Sequence, residues 1–266
     1  MWYGMDVLTL DGKGILLAFV IAAVMLGFGA ATSTSSAGGG WALGVFYIVS
    51  MIYFLVLSAI ATRAGEKYKR KIKQYQTARG VRNVLANGLG PLIFVMLVFY
   101  ASAHGEVVPA MVGFISSVAA VTSDKFSSEI GILDGTPTSI VTLKRIRKGE
   151  SGGVTAMGLF AGLLSSMLIA IVLGVGYVLW FYPTVAAGAV GGNALCIGTC
   201  HMAIGNNELL AIIIIGTLAG FIGTLVDSFL GHFEEKGVGN KYTSNFLCSM
   251  MGGLAGIVLY ALIVGI

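Results

Sequence analysis

The chain has 266 residues, 56% of them hydrophobic and only 11% charged, with a formal net charge of +4 and a mean hydropathy of +0.90. A soluble domain of that size would have too little polar surface to stay in solution, so soluble enzymes and soluble binding modules are excluded and an integral membrane protein is specified. Apolar runs about 20 residues long, without the alternation of barrel strands, make the fold all-α, a polytopic bundle forming a single multi-pass domain over residues 1–266.

Seven spanning helices are predicted, over Gly14–Ala31, Trp41–Ala61, Val84–Ala103, Val107–Ser123, Thr155–Phe181, Leu209–Leu230 and Thr243–Ile266. The first is read as a retained helix and not a cleaved leader, because its apolar stretch is long and only Lys13 supplies a basic flank. Lys and Arg gather between spans two and three (Arg63 to Arg82), four and five (Lys125 to Lys148) and six and seven (Lys236, Lys241). By the positive-inside rule these loops are cytoplasmic, with the N-terminus inside the cell membrane and the C-terminus outside. The eight cations of Arg63–Arg82 read first as a topological anchor; contact with anionic headgroups or a phosphorylated substrate stays open. Nucleic acid is not an expected partner, since only Tyr68 and Tyr75 accompany those charges.

The uncharged, Gly/Ala-rich segment Pro183–Asn207 is expected to be an outer loop or a re-entrant piece, because a further span would put Lys236 and Lys241 on the wrong side. It carries Cys196 and Cys200, whose spacing fits neither a haem attachment nor a redox pair; small packing residues and a disulfide both remain open, and Cys248 falls within a span.

Small residues form stripes on the spans: Gly158, Gly162, Ser166, Ala170 and Gly174 in the fifth, Gly216, Gly220, Gly223, Asp227 and Gly231 in the sixth, Gly252 and Gly256 in the seventh. Such faces let helix backbones approach closely and by themselves indicate packing. In the fourth span Gly113, Ser117 and Ala120 lead to Asp124, and in the sixth the row leads to Asp227 and Ser228. Two close-packed faces thus carry a carboxylate each to the same membrane boundary, where an ionisable group costs about 2.5–3.5 kcal/mol at mid-depth and usually has a task. Paired oxygen ligands there suit Mg²⁺, although two water-solvated aspartates are the alternative. Glu129 lies five residues beyond Asp124, about 140° around a helix. It is therefore assigned a supporting role, a second ion, or an ion pair with an arginine such as Arg79 or Arg145.

Between spans four and five, Lys144, Arg145, Arg147 and Lys148 run into Gly149-Glu150-Ser151-Gly152-Gly153-Val154-Thr155 at the start of a helix. Glycine backbone, cations and a helix N-terminus together can cradle phosphate, and a membrane-anchored basic loop is the plainer reading.

Three ordered motifs, Asp124-Lys-Phe-Ser-Ser-Glu129-Ile-Gly131, the segment from Pro137 to Gly149-Glu-Ser-Gly-Gly-Val-Thr155, and Gly223-Thr-Leu-Val-Asp227-Ser228-Phe-Leu-Gly231, resemble the transmembrane protein 19 family, a once-uncharacterised domain that includes chloroplast phytyl phosphate kinase. Arg79 to Gly88 and Asn245 also fit that pattern, so the likeness runs from about Arg79 to the end. It implies Mg²⁺-dependent phosphoryl transfer from a nucleoside triphosphate, CTP being the expected donor, to a prenyl monophosphate of the phytyl or geranylgeranyl type. Carried onto this chain, Asp124 and Asp227 would hold Mg²⁺, and Asp124, Glu129 and Asp227 would form the catalytic group. Arg79, Asn87, Lys125, Ser128, Lys144, Arg145, Gly149, Gly152, Gly153, Thr155, Ser228 and Asn245 would contact phosphates or nucleotide. The prenyl tail would lie between the small-residue faces, and assembly as a homo-oligomer stays open. The chain departs from the family pattern in having Lys125 where Thr is usual and Glu235 where a Gln is usual. A lipid-phosphate cytidylyltransferase and a lipid or small-molecule transporter are the alternative functions.

Overall fold

The computed structural model describes residues 10–32, 39–75, 80–104, 107–190 and 206–264. Its elements are helices α1 (Gly12–Ala31), α2 (Gly39–Arg63), the short α3 (Glu66–Lys71), α4 (Val81–Ser102) and α5 (Val107–Gly131), strands β1 (Thr138–Ser139) and β2 (Gly153–Val154), and helices α6 (Ala156–Val190), α7 (Asn206–Glu234) and α8 (Lys241–Val264). Among the described residues seven helices are long and apolar enough to cross a membrane. The protein is an all-α integral membrane protein, and the seven predicted spans fall on these seven helices.

Within Pro183–Asn207, expected to be an outer loop or a re-entrant piece, residues 183–190 are helix and not loop, since α6 extends through Val190; residues 191–205 lie outside the described residues. At 1.5 Å per residue the 35 residues of α6 are about 50 Å long, more than the ~30 Å hydrocarbon core requires. Cys196 and Cys200 lie outside the described residues.

Helix α5 is the centre of the bundle, packed by α2, α4, α6, α7 and α8, while α1 leans on α2 and α4. Every residue from Ala110 to Ser123 is buried, which explains why the stretch alternates small and aliphatic side chains and carries no charge. The stripes close this packing. A Cβ on Gly223 would sit 2.6 Å from the Ala120 Cβ and 2.7 Å from the Cys248 carbonyl; one on Gly252 would sit 2.5 Å from the same Ala120 Cβ. Gly158 on α6 lies against the Ser127 carbonyl and Gly131 of α5, and Gly220 against Ala119. The faces are shut by backbone contact, which leaves no space for the prenyl tail expected there. Phe46, Tyr47 and Phe114 fill the α2–α5 interface, with the Tyr47 and Phe114 rings edge to face at 4.8 Å.

All three basic segments meet at one end of the bundle. Lys148 donates to the Tyr68 hydroxyl at 3.0 Å, linking the segment after α5 to α3, and Ser151 N–H donates to Glu235 Oε1 at 2.8 Å, linking it to the turn after α7. The segment between α5 and α6 is a compact cap. β1 and β2 pair antiparallel, Thr138 opposite Val154 and Ser139 opposite Gly153, and Ile140 N–H donates to the Gly152 carbonyl at 3.2 Å.

Candidate active site

The end of α5 and the end of α7 deliver Asp124 and Asp227 to the floor of a cavity of about 170 Å³ beneath this cap. Their carboxyl groups come within hydrogen-bonding reach of each other, and Lys241 and Glu234 stand near enough to bias Asp227. The approach follows from the small residues one and two turns back, since Gly223 on α7 fits directly over Ala120 on α5. The buried Oδ1 of Asp227 has no hydrogen-bond partner among the described residues. Along the cavity lining, the carboxylates of Asp124, Glu129, Glu150, Asp227 and Glu234 outnumber the ammonium groups of Lys125, Lys148 and Lys241. Such a cavity repels a phosphate unless a cation enters with it.

That donor set fits Mg²⁺. Among the described residues no three or more His, Cys, Asp and Glu side chains are placed so that they could hold one metal ion together, which is poor for Zn²⁺. Magnesium, by contrast, is commonly held by one or two carboxylates together with waters and substrate phosphates.

Glu129 stands beside this pair but is engaged elsewhere. Its Oε2 accepts from Lys69 Nζ at 2.7 Å, its Oε1 accepts from Thr62 Oγ1 at 3.1 Å, and Lys125 Nζ also bonds Oε1. The expected arginine partner is replaced by two lysines, and Arg79 lies outside the described residues. Lys69 is fully buried and also donates to the Ala61 and Thr62 carbonyls, each at 3.1 Å. These belong to the last turn of α2, whose carbonyls lack helical partners. The lysine thus caps α2 and fixes it to α5 one turn from Asp124. Three donors and four acceptors close this cluster, which accounts for a buried charge that would otherwise be costly.

The glycine segment docks on α7. Gly149 and Gly152 take φ of +91° and +80°, a region costly for residues with a Cβ. A Cβ on Gly152 would lie 2.6 Å from the His232 N and 2.9 Å from the Ser228 carbonyl. Glu235 secures the dock through Ser151 N–H. A Gln carbonyl can accept the same bond, so this departure from the family pattern preserves the contact. Thr155 lines the cavity, but its hydroxyl accepts from Gly158 N–H at 3.1 Å and donates to the Gly131 carbonyl at 3.3 Å, as an N-cap of α6. Asp134, beyond the end of α5, accepts from Gly135 N–H at 2.7 Å and from Met157 N–H at 3.2 Å. These bonds, with Lys148 nearby, hold its carboxyl below the ordinary aspartate range.

A smaller cavity opens beside the first. Asn87 and Asn245 line it together with Asp124, Lys125, Ser128 and Lys241. Asn245 Nδ2 donates to Asn87 Oδ1 at 3.3 Å, and Asn87 Nδ2 to the Asn83 carbonyl at 3.0 Å. Pro91, inside α4, has no N–H for the Asn87 carbonyl, which loosens the helix at this point.

Of the residues singled out in the sequence, the structure brings Asp124, Asp227, Glu129, Lys125, Ser128, Ser228, Gly149, Gly152, Gly153 and Thr155 around one cavity, with Asn87 and Asn245 around the adjoining one. Lys144 and Arg145 do not line either. Their backbones bind β1, through Ser139 N–H to the Lys144 carbonyl at 2.9 Å and a bridge between Thr138 and Arg145, and both residues are exposed. Lys148 is the cation of that run that reaches the cavity. Sequence reasoning did not assign Lys69, Gln74 or Lys241 to the site. Lys241 opens α8 just upstream of Asn245 and gave a signal; Lys69 was one cation among eight and gave none.

The whole chain is similar to known proteins. Residues 2–255 match the family described as integral membrane protein DUF92. An uncharacterized membrane protein of Methanocaldococcus jannaschii is 31% identical over 253 residues, covering 94% of this chain and 86% of that one. The protein PGR of Arabidopsis thaliana is 30% identical over 202 residues, covering 71% and 64%. The chloroplastic protein VTE6 of the same plant is 27% identical over 162 residues, covering 59% and 46%. No solved structure matches. The chain belongs to the integral membrane protein DUF92 family, the once-uncharacterised domain that its three motifs resemble.

Proposed function

We propose that the protein transfers the terminal phosphoryl group of a nucleoside triphosphate, CTP by the family resemblance, to a prenyl monophosphate, giving the prenyl diphosphate. The single observation that carries this reading is the pair Asp124 and Asp227, face to face on the floor of a cavity capped by glycine backbone. By the positive-inside rule the cavity opens to the cytoplasm, since all the basic segments lie at its end of the bundle.

Asp124 and Asp227 would hold Mg²⁺, which neutralises phosphate charge and orients the transferred group. Lys148 and Lys241 stand at the wall, where they offset charge on the nucleotide. The Gly149–Gly153 backbone forms part of the cavity wall, held there by the dock of Gly152 on α7. An oxygen of the acceptor phosphate attacks the γ-phosphorus, the bond from that phosphorus to the β–γ bridging oxygen breaks, and the nucleoside diphosphate leaves with the electron pair. The acceptor is already ionised at neutral pH, so no strong base is required. That agrees with Glu129 being tied to Lys69 and Lys125 and serving to position α5.

Purified protein given labelled CTP or ATP with farnesyl, geranylgeranyl or phytyl phosphate tests the reading. Prenyl diphosphate is the expected product, and its absence with every donor and acceptor would overturn it.

A further inference from the structure

A third, strongly apolar cavity of about 550 Å³ lies between α1, α2 and α4, with Ala18, Ala22, Met25, Met51 and Ile52 among its walls. We infer that this groove seats the hydrocarbon tail of a lipid phosphate whose head lies at Asp124 and Asp227; the identity of the head rests on the reading above.

Continuity commits the groove to this occupant. Phe54, Asn83 and Asn87 line both the apolar groove and the small polar cavity, and Asp124, Lys125, Ser128 and Lys241 line both the small cavity and the main one. The apolar groove and the cavity of the paired carboxylates therefore adjoin the same small cavity, with Asn83 and Asn87 on the wall shared with the groove and Asp124 on the wall shared with the site. The asparagines are neutral and offer both donors and acceptors, as suits the junction between a charged head and its chain.

At the hairpin end α1 is pinned to α2, where Gly29 lies on Gly44 and a Cβ on Gly40 would lie 2.6 Å from the Ala30 carbonyl. Further along, Ala18, Ile21 and Ala22 of α1 and Met51, Ile52 and Leu55 of α2 line the groove, and Phe19 is 70% exposed. The small-residue faces of α5, α7 and α8 offer no competing seat, being closed at Gly223 and Gly252.

Size sets the tail. From Ile15 to Met25, both on the lining and within α1, the wall rises by about 15 Å at 1.5 Å per residue. An extended chain advances ~1.2 Å per atom, a third of the span of an extended residue, so the wall matches roughly 12 main-chain atoms. At about 30 Å³ per water-sized unit, the volume holds roughly 18 carbons in all. The groove thus fits a tail of fifteen to twenty carbons in all, the farnesyl to geranylgeranyl class.

The test uses the full chain in nanodiscs and geranylgeranyl phosphate carrying a diazirine at the far end of its tail. Label should fall on peptides of α1, α2 and α4, and should be competed by unlabelled geranylgeranyl phosphate but not by the matching alcohol or by phosphatidylcholine. Ala22→Trp should raise KM for geranylgeranyl phosphate at least tenfold while leaving that for dimethylallyl phosphate within twofold. Ala18→Phe serves if Ala22→Trp is not monodisperse. Competed label on the groove in a protein without turnover supports the groove and defeats the phosphoryl-transfer reading alone. Label on α6 to α8, label competed equally by phosphatidylcholine, or unchanged chain-length preference in a folded, active variant overturns the groove.

Discussion

Removing both members of the Lys69–Glu129 pair should cost no more than removing Glu129 alone, and the two single changes should differ. Lys69 is 0% exposed and its three ammonium bonds end on Ala61, Thr62 and Glu129. Glu129→Gln leaves that ammonium buried without the Glu129 counter-charge and also breaks the ion pair between Glu129 and Lys125. It falls in the range of about 3–5 kcal/mol for a broken buried pair. Lys69→Met leaves Glu129 still bonded to Lys125 and Thr62, so its cost should fall near 3 kcal/mol, most of it from the two α2 carbonyls left without a donor. The double variant should cost no more than Glu129→Gln alone, a coupling of at least about 3 kcal/mol between the sites. Reversible unfolding in mixed micelles, followed by circular dichroism across the four proteins, gives the cycle. Additivity within about 0.5 kcal/mol would refute the reasoning.

Gly252→Ala should destabilise the bundle by about 1–3 kcal/mol through overpacking on Ala120, whereas Gly27→Ala, with nothing within 4 Å, should be neutral or up to about 1 kcal/mol stabilising; the same unfolding measurement separates them. Glu235→Ala should release the cap and speed proteolytic cleavage between Lys144 and Ser151, while Glu235→Gln keeps the bond to Ser151 N–H and the wild-type rate. Asp134 has a folded pKa below its unfolded one, so its support of the cap is complete above the ordinary aspartate pKa and is lost as pH falls through the folded value. Hydrogen exchange at Met157 N–H, compared with Asp134→Asn across that acid window, should show the protection fading only in the wild type.

The seven spans were legible because apolar length is a strong signal and needs no partner to be read. Asp124 and Asp227 were legible for the opposite reason, as charges at the end of small-residue stripes whose packing direction is fixed by helix geometry. The sequence was silent on the Lys69 cluster, since it joins residues 60 apart through a six-residue helix too short and polar to stand out from its basic surroundings. Lys144 and Arg145 were assigned to phosphate by their charge beside a glycine turn and by the family resemblance, and a hairpin turned them outward while bringing Lys148 in. The apolar groove had no local signature either, being assembled from residues of α1, α2 and α4 and not from any motif.

The central claim is best tested by the fate of two labels in CTP. With Mg²⁺ and geranylgeranyl phosphate, a γ-label should move to the lipid diphosphate while an α-label stays in CDP. Asp227→Asn and Asp124→Asn, folded and monodisperse, should lower that transfer by roughly a hundredfold or more, the scale seen when one charge-stabilising group is lost. An α-label in the lipid, or γ-transfer unchanged in both variants, would contradict the account.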